Sequence, residues 1–289
     1  MGITSEQIRR VTAELYDRSL RKIPDETRQA LERAAETETN PIAKGTLAVM
    51  LRSAAEAEKF SHFVCSDSGI PVYFVKIGTR VQFDGPVKQA IVDGFADLVG
   101  TINPPMLPHV TNPLTLERGH AGKDMPITTF DLIDDADYIE IICSPKALGS
   151  GRWAALEIFT FPTLETIEAY ILDVVMRAGP QHCPPVVIGV GIGGTFDYAA
   201  KLAKQAMLRP IGETSPEPIL AAMEQRLLTK VNSLGFGPMG TGGDTTSMGV
   251  HIEYASGHGF TPVAVCFNCW INRRRSARIY NDGRVEYFE

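Results

Sequence analysis

Pro185-Val-Val-Ile-Gly-Val-Gly-Ile-Gly-Gly-Thr195-Phe-Asp-Tyr-Ala-Ala-Lys-Leu-Ala-Lys-Gln-Ala-Met-Leu208 reads as a β-branched strand over 185–190, a glycine-rich turn and a helix over 196–208. Gly189-Val190-Gly191-Ile192-Gly193-Gly194 satisfies G-x-G-x-x-G, the spacing that lets backbone N–H groups and a helix N-terminus approach a pyrophosphate. The continuation argues against that use. The helix runs into Arg209-Pro210-Ile211-Gly212 and then Pro216-Glu217-Pro218, so no second parallel strand and no acidic residue at its tip are expected. A nicotinamide-dependent oxidoreductase built on the 189–194 loop is therefore the lesser alternative, and a helix N-terminus accepting another anion, such as a carboxylate, stays open.

Working outward, the N-terminal part over 1–60 is helical. Ile8, Val11, Leu15 and Leu20 mark one face, Thr4 and Gln7 fit a capping box, Pro24 ends the first helix, and Asn40-Pro41 starts a third. Residues 71–77 read as a strand fed by Cys65-Ser66-Asp67-Ser68-Gly69, and 86–99 as a helix. A long Pro/Gly/polar stretch fills 103–126, a length that in a compact domain points to function or disorder. Strands at 138–143 and 154–161, helices at 163–178 and 217–230, and a second glycine-rich segment at 234–243 follow. Strands at 250–254 and 262–267 and a hairpin over 277–288 around Asn281-Asp282-Gly283 close the chain. Helices and strands without strict alternation predict an α+β fold, N-terminal helices packed with a mixed β-sheet and further helices. No repeat or linker composition breaks the chain, so residues 1–289 read as a single domain.

Composition narrows the function classes. The 289 residues carry a formal net charge of −6, which gives no phosphate-binding surface, so nucleic acid is not an expected partner. Arg273-Arg274-Arg275 is the one basic cluster; its simplest reading is a solvated turn, and a more pointed one is a subunit contact or an anion-attracting edge. No apolar run approaches the roughly 18 residues of a membrane span, and no membrane association is expected. The first residues have no signal-peptide core, and five cysteines are an odd number. Reduced thiols and a cytoplasmic location are expected.

Cys266-Phe267-Asn268-Cys269 is a lone C-x-x-C with no second pair at zinc-finger spacing. Cys143 sits inside an apolar strand and reads as core. Cys65, Cys183 and Cys269 lie in loop-like positions. Three dispersed thiolates can hold three irons of a [4Fe–4S] cluster and leave the fourth open as a Lewis acid, while spacing alone favours ordinary buried thiols. Among the histidines, His182 beside Cys183 is placed to touch such a cluster's surroundings; His109, His120 and His251 carry no motif.

Four segments occur in order: Cys65-Ser-Asp-Ser-Gly69; Gly191-Ile-Gly-Gly-Thr195 continuing to Ala206-Met-Leu-Arg209-Pro210; Gly237-Pro-Met-Gly-Thr-Gly-Gly243 with Thr245-Thr246; and Cys269-Trp270 with Arg273-Arg274. Together they resemble the class I, iron–sulfur fumarate hydratase and L(+)-tartrate dehydratase family, specifically its alpha subunit or N-terminal catalytic region, from about residue 60 to 280. The resemblance implies a hydro-lyase that hydrates or dehydrates a small 2-hydroxy dicarboxylate at a [4Fe–4S] cluster. It implies Cys65, Cys183 and Cys269 as metal ligands, Asp67 and His258 as catalytic groups, and Ser66, Arg118, Lys146 and Gly149 as substrate contacts. Arg118 and His258 are too few to hold two carboxylates and complete an acid–base pair. A beta-type hydro-lyase subunit in a hetero-oligomer is therefore implied as the source of the remainder. The chain departs from the family pattern at Ser66, across His120–Pro126, at Ala147 and Leu148, and at Asp244. These departures keep a second alternative in view, a cluster-binding homologue without catalysis.

Overall fold

The computed structural model describes residues 2–288. In chain order the main elements are α1 (Ser5–Arg21), α2 (Asp25–Thr37), α3 (Pro41–Phe60), β1 (Val72–Gly78), α4 (Val87–Thr101), β2 (Ile127–Ile133), β3 (Tyr138–Cys143), β4 (Ala155–Thr160), α5 (Leu164–Ala178), β5 (Val186–Gly193), α6 (Phe196–Ala206), α7 (Pro218–Ser233), β6 (Ser247–Ala255), β7 (Phe260–Asn268), β8 (Arg275–Tyr280) and β9 (Val285–Phe288). Mixed sheets with helices make this the α+β class that the unalternating pattern predicts. Contacts divide the chain into two units, Met1–Pro24 with Ala54–Ala147 and Arg273–Glu289, and Asp25–Ser53 with Leu148–Asn272. The passages fall at Pro24, inside α3, and in short connections without linker composition, which is why residues 1–289 read as one domain.

In the first unit α1 begins as its sequence dictates. Thr4 Oγ1 accepts from the Gln7 N–H at 3.2 Å and the Gln7 side chain accepts from the Thr4 N–H at 2.9 Å, so two orphan donors are met at once. Ile8, Val11, Leu15, Tyr16 and Leu20 then point one way and are buried with α4 and the sheet. The sheet order is β9-β8-β3-β1-β2, with β1 and β2 parallel and the other pairs antiparallel. Central β3 carries Glu140 at a buried position, opposite Lys76 on one side and Arg278 on the other, at 3.1 and 2.7 Å. The edge strand β2, absent from the sequence reading, is Ile-Thr-Thr-Phe-Asp-Leu-Ile, half exposed and without clean alternation.

The second unit has the order β6-β5-β7-β4. β5 and β6 are parallel, so the expected absence of a second parallel strand is corrected: the crossover contains α6 and α7 before the strand returns. Val186, Ile188 and Val190 face α5 and α7, and Phe267 joins them in that core. The opposite face carries α6. Cys266 packs there with Ala199, Ala203 and Met207, which explains a thiol the C-x-x-C reading left without a role. Each such apolar side chain taken from water contributes about 1.5–3 kcal/mol when fully buried.

Arg273, Arg274 and Arg275 are 4–5% exposed, so the solvated-turn reading is corrected as well. Arg275 lies at the start of β8 opposite Cys143, and its guanidinium donates to the Lys22 and Ile23 carbonyls that α1 leaves open. Among the described residues no helix is long and apolar enough to cross a membrane.

Candidate active site

The Cys65–Gly69 loop enters β1 through a tight turn. Asp67 Oδ1 accepts from the Gly69 N–H at 3.0 Å, and Gly69 takes φ +74°, where a Cβ would meet the Lys146 backbone at 2.9 Å. Ile70 and Lys146 exchange both backbone hydrogen bonds at 3.0 Å, which fixes the loop to the end of β3. From below, the Tyr16 hydroxyl faces the Ser68 and Gly69 carbonyls at 3.0 Å. Ser68 and Gly69 are thus buried supports, while Cys65 and Asp67 remain half-buried and Ser66 exposed. Burial pushes the Tyr16 hydroxyl well above the ordinary tyrosine range; Cys143 adds to the rise, the Arg273 guanidinium opposes it, and the Asp67 charge adds again.

The 103–126 stretch forms a short hairpin, Val110–Thr111 against Arg118–Gly119. It encloses a hollow of about 610 Å³, lined among others by Ile70, Thr111, Glu117, Arg118 and Lys123. The same stretch brings His109 to Asp67, Nε2 to Oδ1 at 3.5 Å, without hydrogen-bond geometry. His109 is a neighbour of the acid/base candidate that the sequence reading passed over. Nothing in its local pattern marks it, because the hairpin, not a helix or strand period, carries it there.

In the second unit Cys183 ends the 3-10 turn Gly179–His182 with φ +58° in the left-handed region. Its carbonyl accepts from the Trp270 N–H at 3.1 Å, and the Pro184 carbonyl from Met239 at 2.8 Å. Cys269 follows β7; its carbonyl accepts from Asn272, whose side chain bonds Asn268 and Thr27. The backbones of the Cys183 and Cys269 turns are therefore tied to each other through Trp270. At Gly149, a Cβ would come 3.4 Å from the Cys183 sulfur, so the missing side chain leaves room there.

His182 is fully buried against Phe267, and among the described residues neither ring nitrogen has a hydrogen-bond partner; burial pushes its pKa down to about 4 and keeps the ring neutral. His251 is also buried, but its Nδ1 lies 3.2 Å from the Ala206 carbonyl and it reads as structural. His258 is exposed and stacks on Phe260 at the entry to β7, whereas Cys269 follows its exit. Nine residues of strand span roughly 27 Å, so the structure does not bring His258 to Cys269.

The five thiols, none in a disulfide, divide by burial. Cys143 and Cys266 are buried, and burial pushes the Cys143 thiol far up; Cys65, Cys183 and Cys269 are half-buried. Among the described residues no group of three or more His, Cys, Asp or Glu side chains is arranged to hold a metal ion.

The 189–194 glycines have another use. A Cβ at Gly189 would lie 2.2 Å from the Ala203 carbonyl oxygen, and at Gly191 2.0 Å from that of Ala199. The space a dinucleotide would need over these two positions is filled by α6 itself. Asp244, which follows the 237–243 segment, is tied structurally: its N–H donates to both Glu38 oxygens, and its carboxylate accepts from the Thr39 N–H and hydroxyl.

The family description Fumarate hydratase (Fumerase) matches residues 9–278. A protein of Methanocaldococcus jannaschii named "Putative L(+)-tartrate dehydratase subunit alpha" is 37% identical over 283 residues, 95% of this chain and 98% of the relative. Proteins named L(+)-tartrate dehydratase subunit alpha from Escherichia coli strains UTI89 and K12 are each 30% identical over 269 residues, 90% of this chain and 87% of the relative.

Proposed function

The chain belongs to the fumarate hydratase family and is a hydro-lyase, and from that premise we propose that it is the alpha subunit of an iron–sulfur enzyme acting on a small 2-hydroxy dicarboxylate of the malate or tartrate kind. The observation that carries the cofactor reading is the division of the thiols. The three cysteines singled out by family resemblance are the three that remain half-buried, and the two others are core.

Cys65, Cys183 and Cys269 are the proposed ligands. Their donor chemistry fits: soft, reachable thiols suit iron–sulfur ligation, and Gly149 presents no side chain to the Cys183 sulfur. A [4Fe–4S] cluster held by three thiolates supplies, when bound, an open iron that polarises the substrate's hydroxyl. The remaining work belongs to the protein. Dehydration takes a proton from one carbon and hydroxide from its neighbour, leaving a double bond and water.

Asp67 is the proposed proton-moving group, held by the Gly69 N–H on a loop that cannot drift from β3. Arg118, with the planar fork that matches a carboxylate, is the proposed holder of one substrate carboxylate at the 610 Å³ hollow. Ser66, next to Cys65 and exposed, and Lys146, bonded to Ile70, are proposed to complete substrate contact around the loop. His258 receives no role, because β7 separates it from Cys269.

A beta-type subunit is the proposed partner. Its support is that relatives matched over nearly their whole length are named as one subunit. A thiol-ligated cluster also suits a reducing compartment, so the cytoplasm is the proposed location.

Iron and sulfide counting on anaerobically purified wild type and on Cys65→Ser, Cys183→Ser and Cys269→Ser tests the ligand set. Loss of cluster in each, with retention in Cys266→Ser, is expected; a full cluster in all three would sink it. Full dehydratase activity from the cluster-loaded chain alone would remove the need for a beta subunit.

A further inference from the structure

His109 Nε2 stands 3.5 Å from Asp67 Oδ1, out of line for a hydrogen bond, and among the described residues this buried nitrogen has no hydrogen-bond partner. Burying a polar nitrogen without a partner is unfavourable, and contacts of this kind at reacting groups are often long before substrate arrives and tighten when it does. The pair is not sealed: the His109 side chain is 18% exposed and that of Asp67 27%.

Backbone on both sides fixes the approach. The Gly69 N–H already holds Asp67 Oδ1 at 3.0 Å, and Ile70 binds that turn to Lys146. His109 stands at the foot of the short hairpin, where Val110 pairs with Gly119 and Thr111 with Arg118, and its carbonyl accepts from Thr111 Oγ1 at 3.3 Å. Val110 beside His109, Ile70 beside the Asp67 turn, and Arg118 all line the hollow of about 610 Å³. The imidazole and the carboxylate therefore meet at the wall of the space proposed for substrate.

We propose that His109 is a positioning residue: with substrate in the hollow, its Nε2–H donates to Asp67 Oδ1 and fixes the angle from which that carboxylate exchanges a proton with the substrate. This rests on the role given to Asp67 above and extends it. A carboxylate oxygen only accepts, so Nε2 must carry the hydrogen whatever the state of Nδ1. The hydrogen stays on Nε2 and no proton passes through the ring, so another N–H donor of the same reach can replace it. His109 aims Asp67 and does not hold the substrate, so its loss falls on turnover rather than on substrate binding.

The test assays the cluster-loaded enzyme, with its beta-type partner, for dehydration of L(+)-tartrate and of L-malate in wild type, His109→Leu and His109→Gln. Leucine fills the space without a donor, and glutamine offers an amide N–H at the reach of Nε2. His109→Leu should lower kcat on the order of 10- to 100-fold with KM held within about 2-fold, the loss of one hydrogen bond to a charged group. His109→Gln should bring kcat back to within about 3-fold of wild type. Both variants should keep the wild-type thermal midpoint. Separately, nitrogen-15 NMR of the full-length chain without cluster or partner, with His109 identified as the imidazole signal missing in His109→Gln, should show hydrogen on Nε2, and Asp67→Asn should move that signal. An unchanged kcat in His109→Leu overturns the proposal, as does a rise in KM alone, which would make His109 a substrate contact. Glutamine as slow as leucine at an intact midpoint overturns it too, since a proton would then travel through the ring. A midpoint collapsed in both variants overturns it by marking a structural brace. Wild type that dehydrates neither compound fells the substrate reading and the catalytic use of His109 with it, whereas a missing Nε2 hydrogen in an active enzyme fells the His109 proposal alone.

Discussion

Arg209, half-buried, and Arg273, buried, differ in what surrounds their guanidinium groups. At the β6 edge of the four-stranded sheet, Arg209 donates to Glu224 at 2.7 Å, to the Ile252 carbonyl at 3.0 Å, and to Glu253. Glu224 also accepts from the Ile252 and Ser215 N–H groups, so the exposed side of an edge strand is sealed by a closed network. At the end of the five-stranded sheet, Arg273 has two nitrogens without a hydrogen-bond partner among the described residues. Arg209 is a finished piece of architecture, whereas the more deeply buried Arg273 keeps two nitrogens without a hydrogen-bond partner among the described residues. Burial alone therefore says little about a charged residue; the census of its partners tells the two apart.

The largest test of this contrast is Glu224→Ala. It removes one of the two carboxylates on Arg209, leaving Glu253 and the Ile252 carbonyl, and strips two backbone donors, so urea unfolding should show a loss of about 3–5 kcal/mol. A change under about 1 kcal/mol would mean that the network closing this strand edge contributes little to stability.

Next comes the sheet beneath Arg209. Gly191→Ala places a methyl 2.0 Å from the Ala199 carbonyl and should cost about 1–3 kcal/mol by lifting α6. In α3, Gly45→Ala meets nothing within 4 Å and should instead gain about 0.5–1 kcal/mol. Paired denaturation curves check both signs, and equal effects would remove the packing explanation of the 189–194 glycines.

Glu168 sharpens the contrast through pH. Burial opposes its ionisation, but Lys230 and Arg226 at 2.8 and 2.6 Å outweigh burial and hold its carboxyl below the usual glutamate range. A lowered folded-state value means that the unfolded chain binds the proton first. The pair's contribution is therefore complete above the ordinary glutamate pKa and is lost as pH falls through the folded value. Stability measured from pH 7 down to about 3 should fall less in Glu168→Gln than in wild type. The smallest effect belongs to Asp97→Asn, which breaks an exposed pair with Arg9 and should leave the unfolding midpoint unchanged within error.

Much of the architecture is local and was readable along the chain. The Thr4–Gln7 box, the α1 face and the β1 run follow from side-chain period and cap chemistry over a few residues. The candidate site is less legible because its parts are not periodic. Arg118 and His109 occupy a stretch whose only signal is length, and the hairpin that turns them toward one hollow and toward Asp67 depends on pairing between Val110–Thr111 and Arg118–Gly119. β2 was lost for a related reason: an edge strand half open to solvent has no clean alternation to read.

The sequence by itself determined the α+β class, most element positions, the order of the four family segments, and which cysteines stand in loops. Those are properties of neighbours in the chain. Tertiary structure decided what each ambiguous group is for. It filled the space over Gly189 and Gly191 with α6, put Cys266 into a core, tied Asp244 to Thr39, and drew Arg273 out of water while leaving two of its nitrogens unmatched among the described residues. The physical reason is that desolvation is a non-local quantity. Whether a charge, thiol or glycine is covered depends on residues hundreds of positions away, and no spacing along the chain reports it.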